Sequence, residues 1–88
     1  MMFQTRDSDF LRLPGVGSST GVSRSSTYRR ITQGLFPPAV PLGGGRIVGW
    51  PAREVHAINE ARIAGWSDAK VRALVTDLVA QRTAGGTR

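Results

Sequence analysis

Residues 13–34, LPGVGSSTGVSRSSTYRRITQG, carry the pattern that decides the fold: a short helix, a tight turn and a second helix. Pro14 suits the first turn of a helix, where its missing N–H leaves no intrahelical bond unmade. The helix it opens, 15–20, is poor by intrinsic propensity, since it holds two glycines and two serines. Tertiary contacts have to hold it. Gly21 supplies the positive φ of a sharp turn. Val22 is expected to face inward, and Ser23 offers its hydroxyl as an N-cap to the orphan N–H groups that follow. Residues 24–33 are spaced as a helix that ends at Gly34 in the C′ position. Thr27, Tyr28 and Ile31 form its expected apolar stripe, while Ser25, Ser26, Arg29, Arg30 and Gln33 collect on the opposite face.

On the N-terminal side, Phe10, Leu11, Arg12 and Leu13 read as a short strand or an anchoring segment. On the C-terminal side, Leu35, Phe36, Pro37 and Pro38 leave the helix, because two prolines cannot continue it. Residues 40–42 and 46–50 flank Gly43, Gly44 and Gly45 as the two strands of a hairpin. Pro51 restarts a helix whose inner side carries Val55, Ile58 and Ala61 or Arg62, with Trp50 as a core or staple residue just before it. Gly65 breaks or caps that helix, and Ser67 with Asp68 begins the last one. There Val71, Leu74, Val75, Leu78 and Val79 fall at i, i+3, i+4, i+7 and i+8, an amphipathic stripe.

The order strand, helix, turn, helix, hairpin, helix, helix predicts a mainly α fold with a small β-hairpin wing. It is a winged helix-turn-helix with an extra C-terminal helix. The expected organisation is a flexible N-terminus over 1–9, a DNA-binding domain over 10–65, an amphipathic helix over 66–82 and a flexible tail over 83–88.

Charge points to the partner. Twelve Lys and Arg stand against six acids in 88 residues, a net charge of +6, and eleven of the twelve bases are arginine. No acid occurs from Phe10 to Arg53, where Arg12, Arg24, Arg29, Arg30, Arg46 and Arg53 all fall. From Glu54 onward the signs nearly balance. A field of one sign over half a small domain suits a polyanion. The absence of cysteine removes disulfides and thiolate chemistry, and the lone His56 cannot assemble a metal site. No apolar run approaches the roughly 20 residues of a membrane helix. With few acids and no base near the serines, neither an enzyme nor a cofactor is expected.

An α-helix fits the major groove, and the 23–33 helix is equipped to enter it. Arg29 and Arg30 can bond guanine O6 and N7 in bidentate fashion, and Gln33 can do the same for adenine N6 and N7. Ser25 and Ser26 are short enough for close approach, Arg24 at the helix start suits a phosphate, and Ser23, Arg24 and Ser25 would fix the helix on the backbone. At the wing tip, the bare backbone of Gly44 and Gly45 could lie against the sugar-phosphate chain with Arg46 beside it; the glycines lack the Lys-Ser/Thr of a phosphate-cradling loop. The stripe of the last helix has two readings: it covers the small core of the domain, or the chain is a protein-interaction adaptor or a dimer that works through Val71, Leu74, Val75 and Leu78. RNA binding is weaker, since no aromatic platform accompanies the basic residues.

Leu11-Arg12-Leu13-Pro14, Thr20 to Ser25, Tyr28-Arg29, Gly34, Phe36-Pro37, Leu42-Gly43, Val48-Gly49-Trp50 and Glu54-Val55 follow in an order that resembles the AlpA-like family of phage and prophage regulators. That family lies within the MerR-like winged-helix and excisionase group. The resemblance spans residues 10 to 62. It implies double-stranded DNA as partner and control of a mobile element, by regulating an integrase gene or by bending attachment-site DNA as an excisionase, in the cytoplasm and nucleoid of a bacterial host. By position, Ser23, Arg24, Ser25, Tyr28 and Arg29 match the recognition-helix motif, and Gly43 to Arg46 match the wing. Thr27 and Arg30 stand where such proteins carry bulky apolar residues, Pro38 and Pro41 replace basic residues, and the helix after Ser67 lies beyond the usual domain.

Overall fold

The computed structural model describes residues 9–85. The chain runs β1 (Phe10–Leu11), α1 (Leu13–Thr20), α2 (Arg24–Thr32), β2 (Val40–Pro41), β3 (Val48–Pro51), α3 (Ala52–Ile63) and α4 (Asp68–Gly85). It is the expected mainly α fold with a β wing. The expected flexible N-terminus lies, apart from Asp9, outside the described residues, as do residues 86–88 of the expected tail. The last helix runs on to Gly85, three residues past the expected boundary.

The wing is one edge of a three-stranded antiparallel sheet in the order β1-β3-β2. Phe10 and Leu11 pair with Pro51 and Trp50, and Val40 and Pro41 pair with Gly49 and Val48. The strands fall short of the expected 40–42 and 46–50, although one further bond, Leu42 N–H to Ile47 O at 2.9 Å, closes the loop end. At the other end β3 continues through Pro51, where a helix was expected to begin. Pro51 lacks an N–H, but it sits where β2 no longer pairs, and Ala52 N–H then donates to Asp9 O at 2.7 Å.

α1 is held by tertiary contacts, as its composition demands. Val16 is fully buried, and the Thr20 hydroxyl donates back to Val16 O. The amide of Asn59 on α3 donates to both the carbonyl and the hydroxyl of Ser19. Its C-terminus turns through Gly21 at φ 72°, a conformation that L side chains rarely adopt.

One core joins Val16, Leu35, Phe36, Trp50, Val55, Ile58, Ala61, Val71, Val75 and Leu78. Trp50 is its centre: it is fully buried, its ring lies 6.4 Å from that of Phe36, and its indole N–H donates to Pro37 O at 2.9 Å. A buried indole N–H left without an acceptor would be costly, so this bond fixes where β3 crosses the segment that leaves α2.

The α4 stripe belongs to this core. Val71, Val75 and Leu78 are buried and Leu74 and Val79 are partly buried against it. Of the two expected roles of the stripe, packing on the domain's own core and self-association through Val71, Leu74, Val75 and Leu78, the structure shows the first. Each such side chain gains about 1.5–3 kcal/mol by leaving water, and in a chain this small the domain's own core takes that gain first. α4 is also pinned by charge. Glu54, fully buried on α3, accepts from Arg82 Nε at 2.9 Å and from its Nη2 at 2.6 Å, and that same Nη2 reaches Pro38 O.

Candidate nucleic-acid interface

α2 begins as its residues predict. Ser23 is the N-cap, extended at φ −67° and ψ 163°, and its hydroxyl accepts from Ser26 N–H at 3.2 Å. Thr27 is the buried residue of the helix. Its hydroxyl donates to Ser23 O at 2.9 Å, which lets a polar side chain occupy a position that faces the core. Ile31, one turn on, is partly buried beside it.

The pair Thr27 and Ile31 sets the rotation of the helix, and every other side chain follows at 100° per residue. Ser25, Arg29 and Gln33 lie farthest from the core and are exposed. Arg24, Tyr28 and Thr32 are exposed on one flank, whereas Ser26 and Arg30 are half-buried on the other. Two expectations change. Tyr28 leaves the apolar stripe, because it is 43% exposed and only Thr27 and Ile31 turn inward. Arg30 is not at the centre of the outer face but leans toward α3.

No acid answers these arginines on α2 itself, and among the described residues no side-chain hydrogen bond or ion pair engages Arg24, Arg29 or Arg30. The face is a cationic ridge of hydrogen-bond donors, with Arg24 and Arg29 exposed. Its C-terminal end is tied down from behind. Gln33 closes the helix, Gly34 follows at φ 76°, and Arg72 of α4 lies over that glycine while its Nε–H donates to Gln33 O at 2.9 Å.

Gly44, Gly45 and Arg46 stand exposed in the 42–47 loop at the wing tip. Gly43, Gly44 and Gly45 have successive φ values of 82°, 69° and 82°, a backbone path that residues with a Cβ resist. Ile47 beside them is 41% exposed. The wing is coupled to the helix by the Trp50–Pro37 bond, since Pro37 lies four residues beyond Gln33 and Trp50 lies in β3.

The structure thus gathers Ser23, Arg24, Ser25, Ser26, Tyr28, Arg29, Arg30 and Gln33 on one short helix, and Gly44, Gly45 and Arg46 on a separate loop. Sequence reasoning missed Asn59, Arg72 and the Glu54–Arg82 pair. Each acts between residues 28 to 40 positions apart, and no local spacing signals such a contact. Among the described residues no group of three His, Cys, Asp or Glu could hold a metal ion, and no helix is long and apolar enough to cross a membrane.

Over 56 residues the chain is 50% identical to the uncharacterized protein ORF88 of Enterobacteria phage P4. The match covers 64% of this chain and 62% of that protein, so the chain spans under two thirds of its relative's length. No solved structure matches. Residues 9–71 match the family described as Prophage CP4-57 regulatory protein (AlpA). They take in both helices of the helix-turn-helix, the wing and α3, and the chain belongs to this AlpA family of prophage regulatory proteins.

Proposed function

We propose that the protein is a sequence-specific double-stranded DNA-binding regulator of a phage or mobile element, with α2 seated in the major groove. The observation that carries this reading is the outer face of α2. Ser25, Arg29 and Gln33 project from a helix whose opposite side is locked by Thr27 and Ile31, and no acid between residues 10 and 53 neutralises them. Arg29 and Gln33 read base edges, Ser23, Arg24 and Ser25 fix the helix on the backbone, and Arg46 with the glycine loop holds the flanking strand. Tyr28, on the Arg24 flank, borders the same backbone. The process served is control of an integrase gene or excision of the element's DNA. The burial of Val71, Val75 and Leu78 in the chain's own core, with Leu74 and Val79 partly buried against it, favours this reading over that of an adaptor.

The test is a salt titration of binding to the duplex that flanks the gene, with a random duplex of equal length alongside. The expected result is tighter binding to the native duplex and a log–log salt slope of about 0.9 per phosphate neutralised. Equal, weak binding to both duplexes would sink the reading.

A further inference from the structure

Beside the half-buried flank of α2 lies an open, mainly polar pocket of about 310 Å³. Ser26, Arg29, Arg30 and Gln33 line it from α2 and its C-cap, at i, i+3, i+4 and i+7, Leu35 adds one apolar wall, and Arg62 and Asp68 line it from the end of α3 and the start of α4. Three guanidiniums and one carboxylate therefore line one pocket. Arg30 was expected to read bases but lies half-buried on this flank, and Arg62 and Asp68 play no part in the interface described so far.

Arg62 is under-used. Its Nη1 donates to Asp68 Oδ1 at 3.2 Å, in a pair whose side chains are 33% and 59% exposed. Its Nε–H is buried and meets no acceptor. A guanidinium presents five donors in a planar fork that matches an anion with several oxygens. An exposed, single-bond pair with a carboxylate contributes little and is readily exchanged. The pocket's donors are cationic or neutral, its walls are polar except for Leu35, and two of its lining residues, Arg29 and Gln33, are among those that stand farthest out on α2. An anion of phosphodiester type bound to the same duplex as α2 meets all of these conditions.

We infer that this pocket is a phosphodiester-binding subsite, in which Arg62, together with Arg30 and Ser26, holds a DNA backbone phosphate and Asp68 is the internal competitor that the phosphate displaces. The inference rests on the DNA-binding reading and deepens it. It moves Arg30 from base reading to backbone holding, and it gives the α3–α4 turn a role in binding. It also gives the recognition helix a backbone anchor on its other flank, in addition to Ser23, Arg24 and Ser25 and to the wing.

The experiment is a salt titration of the full chain and four variants, Arg62→Gln, Asp68→Asn, Asp77→Asn and the double Arg62→Gln/Asp68→Asn, on native and random duplexes. Arg62→Gln is expected to weaken binding to both duplexes alike, by about threefold to tenfold at moderate salt, and to lower the salt slope by about 0.9. Asp68→Asn is expected to tighten binding to both by severalfold, and to have little effect once Arg62 is Gln. Asp77→Asn, which removes an exposed acid from α4 outside the pocket, measures the long-range part of any gain, and screening keeps that part smaller. A purely structural role for the Arg62–Asp68 pair predicts no gain beyond the long-range one that Asp77→Asn measures. The inference is overturned if Arg62→Gln leaves the slope unchanged, or if Asp68→Asn binds no better than Asp77→Asn. Both results leave the DNA-binding reading standing, whereas a wild-type chain that does not prefer its native duplex removes that reading itself.

Discussion

α2 and α4 are both amphipathic helices laid against the same core, yet they use their charges in opposite ways. α4 buries Val71, Val75 and Leu78, and its bases have partners within the chain: Lys70 over the ring of Trp66, Arg72 on Gln33 O and Arg82 on Glu54. α2 fully buries only Thr27, and its arginines have no such partners among the described residues. The difference separates a helix built to complete a core from one built to present a surface. An amphipathic stripe alone does not tell the two apart; where the charges go does.

The comparison breaks most decisively at Arg82. Removing it by Arg82→Ala leaves Glu54 fully buried without its cation, and such a loss is expected to destabilise by about 3–5 kcal/mol in urea unfolding. In a domain whose total margin is about 5–15 kcal/mol, that is a large fraction. The double variant Glu54→Met/Arg82→Leu is expected to recover most of the loss, since an apolar pair of similar volume removes the unpaired charge. No recovery would mean that the pair serves mainly to hold Pro38 rather than to neutralise Glu54.

Leu78→Ala tests the same helix through packing. Truncating a buried leucine is expected to cost about 2–5 kcal/mol, with the hydrodynamic size of the folded protein unchanged. A change of oligomeric state with little change in stability would instead make the α4 stripe an intermolecular surface. Arg29→Ala probes the opposite kind of helix. It is expected to shift unfolding by no more than about 0.5 kcal/mol while weakening native-site binding by about 1–3 kcal/mol and relaxing base preference. Unchanged affinity and preference would place α2 outside the groove.

Much of this division was legible in the residues. Gly21, Ser23 and Gly34 mark the ends of α1 and α2, because positive φ and N-capping are local demands that few residue types meet. The period of Val71, Val75 and Leu78 announces α4 in the same way. What it packs on was not legible. Arg82 meets Glu54 across 28 residues, and Arg72 meets Gln33 across 39. β1 is two residues long, too short for any alternation to show that it pairs with β3. The rotation of α2 was misjudged at Tyr28, since an aromatic beside Thr27 looks more apolar than the threonine. The Thr27 hydroxyl is satisfied by Ser23 O, so the threonine goes in and the tyrosine stays out.

The smallest expected effect lies at the start of α2, where the two kinds of helix can be told apart by what a modest loss of stability does. The Ser23 hydroxyl accepts one bond, from Ser26 N–H, at an exposed position. Ser23→Ala should therefore cost about 1 kcal/mol, whereas Ser23→Gly should cost only a few tenths of that, because glycine is tolerated as an N-cap. If α2 is folded before it meets DNA, both variants keep native-site affinity at temperatures well below the melting transition, apart from any contact the hydroxyl itself makes to the backbone. That contact is lost in both variants alike, so its effect on binding does not follow the ranking of stability. Affinity that instead follows stability, with alanine clearly worse than glycine, would mean that the first turn of α2 orders only on the duplex. The recognition helix would then owe its final turn to its ligand, as α4 owes its burial to the core, and the contrast between the two would be one of timing as well as of charge.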